Sequence, residues 1–422
     1  MNLLILRCGE RELSYRLMQQ AKGLPVVCGE LRRIGREAEH NYSYPRGRGE
    51  GSANAPTIGE AVTRMVELLD EVEVKIGDTV EIDTVAHLFP TGGSTPVPVT
   101  RVDDGLVGLL SKAGGAPGNR GSLEALGVSR ERYARAQHVA VWDDAFYCDL
   151  PPESRGYLLP ESLDLPFDLH RRGFRGLLHA AAVGRVVPHL FVQSASRRTA
   201  GRRTPPPASE GARIVLCFFD QHAGVTAVLA NAPVWTTFGT APGDGLPGER
   251  GVGAVPVGAL ETILKHSVLP PDRLLAVLRN AGGLGIKTAE DLERVAIEAF
   301  RGVEPSRTVF ATFVREMTGA IGAAATILGG MDALVFIGER AIGSHRFRLA
   351  ICGGLEAWGV ESPAEIPVPP FEVTLLGGGG DRPAIYAASV NEDELVAREV
   401  SRYLLGDAAR GDEEGERRAG GG

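Results

Sequence analysis

The sequence predicts an α/β protein of two lobes, and three observations carry that expectation. At 422 residues the chain is longer than one ordinary core of roughly 100–200 residues requires. Short apolar runs such as LLILRC, HVAVWD and ARIVLCFF alternate with segments whose apolar residues recur at helical spacing, such as IGEAVTRMVELLDEV. The long segment TVFATFVREMTGAIGAAATIL, closed by Gly329 and Gly330, leads directly into the strand-like DALVFIG, the pattern of an α/β unit.

In chain order, LLILRC and VVCGELRRI predict hairpin-like opening strands, and the Gly- and Arg-rich stretch Tyr42 to Asn54 reads as a loop. The helix IGEAVTRMVELLDEV and the strands EIDTVAHLF and HVAVWD follow. The proline-rich DLPPESRGYLLP suits a crossing between lobes. RRGFRGLLHAAAVGRVV predicts a glycine turn feeding a helix, ARIVLCFF and GVTAVLAN two strands around a turn, and ALETILKHSV and AEDLERVAIEAF two helices. AIYAASV is a last strand, and Glu392 to Leu405 a last helix with Asn391 as its N-cap. The first lobe is therefore expected over residues 1–150 plus 385–405 and the second over 151–384. Residues 195–211, rich in Arg and Pro, read as an exposed insertion and 406–422 as a disordered tail.

The net charge of −8 gives no general attraction to nucleic acid or an anionic membrane. The best membrane candidate, Gly319 to Leu328, falls short of the roughly 20 apolar residues a span requires, and the start lacks a secretory pattern. Five scattered cysteines without CxxC spacing indicate neither a disulfide framework nor a zinc site, so a reducing cytoplasm fits.

Several landmarks in one order resemble the acetate kinase family, acyl-phosphate-forming kinases with a duplicated actin/hexokinase-like (ribonuclease H-like) fold. They are MNLLILRCGERELSY, AHLFPTGG, VWDDAFYCDLP, RRGFRGLLH, GTAPGDGLPGERGV, NAGGLGI, TGAIGAAATILGGMDALVFIGE and ASVNEDELVA, which span nearly the whole folded chain. The resemblance implies an interlobe cleft, a homodimer through the second lobe, ATP and Mg²⁺ as cofactors, and a small carboxylate as substrate. By position it makes Asp143 the catalytic-site aspartate, Glu392 a metal-site acid beside Asp143, and Arg250 a cation that stabilises the transferring phosphoryl group. His87 and His179 match family histidines on the substrate side.

The departures from the family pattern concern charge. Arg7 stands where a metal-site asparagine is expected, and Arg175 where a catalytic histidine is expected. Leu88 replaces a substrate-side arginine and Thr91 a histidine. Asp220, Gln221 and His222 fall on the Gly-Asn-Gly of the phosphate turn, although a shift of one or two residues would bring Ala223 and Gly224 there instead. Gly338 and Glu339, in IGERAIG, match a segment near the nucleotide, with Arg340 altering its spacing. Two unit charges about 4 Å apart interact by about 4 kcal/mol at an effective dielectric near 20, so the acids Asp143 and Glu392 repel each other and Arg7 beside them is expected to pair with one of them in place of the metal. The resulting alternatives are an acetate-kinase-like phosphotransferase of reduced activity or changed substrate, and an inactive homologue with a binding or regulatory role.

Read without the resemblance, Asp143 and Asp144 are acids at a strand end and Glu392 is a first-turn acid favoured by the helix dipole. Arg171, Arg172 and Arg175 form one local basic cluster, and Arg197, Arg198, Arg202 and Arg203 another. His87, His179 and His222 lack metal-ligand spacing, and GGGGDR lacks the lysine of a P-loop.

Overall fold

The computed structural model describes residues 1–19, 25–76, 81–92, 97–112, 118–163, 169–199, 211–284 and 289–419. They fall into two compact units, Met1–Ala145 with Glu392–Gly422, and Phe146–Asn391. The chain passes between them at Ala145, before the proline-rich stretch, because Tyr147 and Leu150 belong to a core of the second unit.

The first unit is built on the strands β1 (Asn2–Cys8), β2 (Leu13–Gln19), β3 (Pro25–Arg32), β4 (Ala38–Tyr44), β5 (Gly47–Ala53), β6 (Thr84–Phe89), β7 (Val99–Arg101) and β8 (Gln137–Trp142). They form one sheet in the order β5-β4-β3-β2-β1-β6-β8-β7. An antiparallel meander runs out from β1 on one side, and β6 and β8 lie parallel to it on the other. Helices α1 (Ile58–Ile76), α2 (Asp104–Lys112) and α3 (Asn119–Arg132) complete it with the C-terminal helix (Glu392–Ala419). Alternation along β1 sends Leu4, Leu6 and Cys8 into a core with Ile58, Val62, Met65 and Leu69 of α1. Leu3, Ile5 and Arg7 therefore share the opposite face.

Two expectations for this unit are corrected. Tyr42 to Asn54 is not a loop: β4 and β5 pair in full register, with Tyr42 opposite Gly49 and Tyr44 opposite Gly47. A Cβ at Gly49 would stand 2.3 Å from Tyr42 Cζ, so the rings cover the glycines that make the segment look loop-like. The C-terminal helix also continues to Ala419 instead of ending at Leu405, since the Arg-, Glu- and Ala-rich sequence beyond it contains no proline.

The second unit begins with α4 (Pro152–Arg155) and α5 (Gly176–Thr199), followed by β9 (Arg213–Phe219), β10 (Ala223–Leu229) and β11 (Ala232–Thr236). Helices α6 (Val257–His266), α7 (Pro271–Asn280), α8 (Ala289–Phe300) and α9 (Ser306–Ile327) precede β12 (Ala333–Ile337). After α10 (Glu339–Gly343) and α11 (His345–Gly353) come β13 (Val373–Gly379) and β14 (Arg382–Ala388). The sheet order is β11-β10-β9-β12-β14-β13. As in the first unit, the opening strand carries an antiparallel meander on one side and two parallel strands on the other, with an antiparallel strand at that edge.

Residues 385–391, expected in the first lobe, belong here, because β14 pairs with β12 and β13. Of the expected insertion at 195–211, the chain is helical through Thr199, and 200–210 lie outside the described residues. Val215, Cys217 and Phe219 of β9 face one core and Ile214, Leu216 and Phe218 the other. This burial on both faces accounts for the unbroken apolar run.

Phe219, Phe313 of α9 and Phe347 of α11 form an aromatic cluster behind the end of β9, with centroids 4.7 Å apart for Phe219 and Phe313. Phe313→Ala is expected to cost about 3–5 kcal/mol in urea unfolding. A loss below about 1 kcal/mol would show that the cluster does not anchor this strand end.

Candidate functional site

In sheets with parallel strands, ligand-handling groups collect outside the carboxyl ends of those strands. In the first unit Arg7 is the penultimate residue of β1, in register with Leu88 of β6, and Asp143 follows β8, its amide donating to Phe89 O at 2.9 Å. Glu392 opens the C-terminal helix, whose Val396 and Val400 are fully buried. The Arg7 guanidinium forms an ion pair with Glu392, Nη2 donating to Oε2. Burial opposes the charge on Arg7, but the carboxylates of Glu392, Asp143 and Asp393 outweigh it and raise its pKa above the ordinary arginine value. Arg16 pairs with Asp393 at 3.4 Å. Because Ile5 stands opposite Arg16 and Arg7 is two residues along β1, both arginines lie on one face of the sheet.

The four residues expected on the substrate side, His87, Leu88, Thr91 and His179, are all buried. Leu88 is buried and its carbonyl accepts from Ser122 Oγ at 2.7 Å. His87 is buried against His138, with Nε2 to Nδ1 at 3.0 Å, and burial followed by the neighbouring His138 holds its pKa well below the usual imidazole value. Thr91 donates its hydroxyl to Asp144 Oδ2 at 2.5 Å, and Gly92 N donates to Asp144 Oδ1 at 2.8 Å, so Asp144 pins the chain after β6. His179 is fully buried in the second unit among Phe146, Tyr147, Phe218 and Phe238. Its Nδ1–H donates to Arg175 O at 2.8 Å and its amide to the same oxygen at 3.0 Å.

That contact fixes an unusual backbone. Arg175 has φ 55°, a left-handed conformation uncommon for a residue with a side chain, at the step from Phe174 into α5. Phe174 packs edge-on to His222 with centroids 5.0 Å apart. His222 ends the three-residue turn Asp220 to His222 between β9 and β10, where Asp220 N donates to His222 O at 2.9 Å and Arg250 N donates to Gln221 O at 2.8 Å. Burial first, then Arg250 and Arg175, lower the His222 pKa to about 4 despite a hydrogen bond with the Arg250 backbone. Arg250 and Arg175 both lie near enough to His222 to disfavour its protonation.

The alternative alignment of the turn is corrected. Ala223 and Gly224 are ladder residues of β10, paired with Phe219 and Phe218, and a Cβ at Gly224 would meet Phe238 Cζ at 2.3 Å. The absence of a side chain at Gly224 makes room for Phe238. Asp220 instead faces Arg340, whose Nη1 donates to Asp220 and Nη2 to Glu249, with the Arg340 side chain only 8% exposed. The Glu249 carboxyl is raised above its ordinary range, burial prevailing over the attraction of Arg340 and Arg250. Gly338 precedes α10 with φ 90°, and a Cβ there would lie 2.5 Å from Phe219 O, whereas Glu339 is exposed.

Sequence reasoning missed Arg16, Asp393, Glu249 and the role of Arg340. Period-two spacing across the first hairpin placed Arg16 on the face of Arg7 and was the available signal; nothing in the sequence joins Glu249 to Arg340. Among the described residues no group of three or more His, Cys, Asp or Glu is placed to hold a metal ion. Asp143 and Glu392, with Arg7 seated on Glu392, do not fit a divalent cation. Asp220 and Glu249, closed on Arg340, do not fit a triphosphate.

The sequence profile of the Acetokinase family matches residues 2–396. The acetate kinase of Symbiobacterium thermophilum is 26% identical over 412 residues, covering 96% of this chain and 99% of that protein. The crystal structure of Porphyromonas gingivalis acetate kinase superposes with a TM-score of 0.77 at 19% identity, covering 96% of this chain and 99% of that one. A propionate kinase from Francisella tularensis superposes with a TM-score of 0.75 at 17% identity, covering 94% and 98%. The two mixed sheets are those of the actin/hexokinase-like fold.

Because its folded pKa lies below the unfolded value of about 6.5, neutral His222 contributes stability that is present above pH 6.5 and is lost as the pH falls towards 4. An imidazole proton NMR titration should place its midpoint near pH 4, and Arg250→Ala should move it upward. A midpoint at about 6.5 in the unaltered protein would contradict the cationic grouping.

Proposed function

The chain belongs to the acetate kinase family, and on that premise we propose that it keeps recognition of a phosphoryl anion while having lost efficient phosphorylation of short carboxylates by Mg·ATP. It is then a family member with a binding or regulatory role. The observation that carries this reading is the pairing of Arg340 with Asp220 and Glu249 at the β9–β10 turn. A triphosphate needs backbone donors and positive charge at such a turn, and here it meets two carboxylates that share one internal arginine.

Phosphoryl transfer to an ionised carboxylate needs no general base, so its rate depends on positioning two anions and neutralising charge on the equatorial oxygens. Loss of one preorganised charge partner commonly costs about 10²–10³ in rate. Leu88, buried in β6, offers no such partner to a small carboxylate. On this reading a phosphate dianion is held on the side of His222 where Arg175 and Arg250 lie, and the neutral imidazole offers a hydrogen-bonding group without further charge.

The second reading is the inherited one: reversible ATP-dependent phosphorylation of a short carboxylate to an acyl phosphate, with Asp143 and Glu392 on the metal side. Retention of Asp143 at the end of β8 favours it. A homodimer through the second unit and a cytoplasmic setting are part of either reading. Among the described residues no helix is long and apolar enough to cross a membrane.

The two readings separate in one pair of experiments. A hydroxamate assay over acetate, propionate and butyrate with Mg·ATP should give no product above background. Calorimetry with inorganic phosphate should show binding that weakens by about tenfold or more in Arg250→Ala, as expected for loss of a charged hydrogen bond of about 1.5–3 kcal/mol. Turnover that disappears in Asp143→Asn would overturn the binding assignment in favour of the enzyme. Absence of phosphate binding would remove the anion site.

A further inference from the structure

We infer that the Arg7 guanidinium takes the place of a divalent cation at the carboxyl end of β1, as a permanent counter-ion that holds the first turn of the C-terminal helix against the sheet. The inference rests on reading Asp143 and Glu392 as the family's metal-side acids. It concerns the first unit alone and is independent of the anion site on the second.

Three acids meet Arg7 electrostatically: Glu392 by a direct ion pair, then Asp143 and Asp393. Like charges at about 4 Å repel by about 4 kcal/mol at an effective dielectric near 20, so carboxylates gathered on a part-buried surface require a cation among them. A metal and a guanidinium are two solutions to that requirement, and they exclude each other. Mg²⁺ demands near-octahedral oxygen ligands at about 2.0–2.1 Å, whereas Glu392 Oε2 here accepts from Arg7 Nη2. A guanidinium also stays charged at any physiological pH, so this counter-ion is neither lost nor exchanged.

A second arginine makes the arrangement a clamp. Arg16, on the same sheet face, pairs with Asp393 while its Nη1 donates to Tyr15 O at 2.8 Å and Gly29 O at 3.2 Å. Adjacent acids in the first turn of the C-terminal helix are thus gripped by arginines from adjacent strands β1 and β2. The helix returns to β1 across 385 residues of sequence, and the pairing that closes that distance is built from side chains instead of a dissociable ion. The attachment of the helix is therefore indifferent to divalent cation concentration.

Arg7→Asn tests this by replacing the guanidinium with a neutral oxygen donor, using Mn²⁺ as the probe. The unaltered full-length protein should take up no Mn²⁺ at this site by electron paramagnetic resonance titration, and its thermal midpoint should not change with Mn²⁺ or Mg²⁺. Arg7→Asn should be less stable in cation-free buffer, recover on addition of Mn²⁺, and bind it at least about tenfold more tightly than the unaltered protein, a change of about 1.4 kcal/mol. Arg7→Lys, which keeps a positive charge, should remain without uptake. If Arg7→Asn is unfolded without cation and folds when Mn²⁺ is added, the inference stands. If it stays unfolded in Mn²⁺, or folds and binds none, a cation cannot substitute for the guanidinium and the inference is overturned. Uptake by the unaltered protein that Asp143→Asn abolishes overturns it equally. Phosphate binding by the same samples reports on Arg175 and Arg250 separately, so failure of that site leaves these outcomes readable.

Discussion

A single ion pair, Arg7 with Glu392, sets the electrostatic character of the first unit. β1 is the central strand from which the meander and the parallel strands both extend, and its carboxyl end is where acids from β8 and the C-terminal helix converge. The Arg7 guanidinium pairs with Glu392, and Arg16 with the neighbouring Asp393. A site that would otherwise respond to a dissociable ion becomes part of the structure, since breaking such a pair leaves an uncompensated carboxylate in a place poorly reached by water.

The second unit carries an arginine–carboxylate cluster at the equivalent point of its sheet. Phe219, held by Phe313 and Phe347, delivers Asp220 to the turn after the opening strand, and Arg340 binds it together with Glu249. In both units an arginine pairs with carboxylates near the carboxyl end of the opening strand. Arg175 and Arg250 add positive charge near His222, and the carbonyl of Arg175, at a left-handed backbone position, accepts from the His179 ring.

Much of this fold is legible in the sequence because the buried strands write their burial as unbroken apolar runs: RIVLCFF of β9 and ALVFI of β12 admit few other readings. The β4–β5 hairpin was hidden because its glycines are covered by Tyr42 and Tyr44 from the neighbouring strand, a contact across the register that composition does not display. The charge of the site was legible at Arg7, because a strand end followed by a turn leaves one direction for the side chain and the resemblance supplied the acids. The ion cluster at Arg340 was not legible, since Asp220, Glu249 and Arg340 come from three separate segments whose meeting depends on tertiary packing. The histidines at 87 and 179 matched by position, yet burial against His138 and the aromatic core determines what each side chain does.

The central claim is that a guanidinium holds the position a divalent cation would take. A crystal structure of the protein grown in millimolar Mg²⁺ with a non-hydrolysable ATP analogue measures this most directly. Arg7 should be found paired with Glu392, with no metal ion on Asp143 or Glu392. An octahedral Mg²⁺ bound through those carboxylates, with Arg7 turned away, would contradict it.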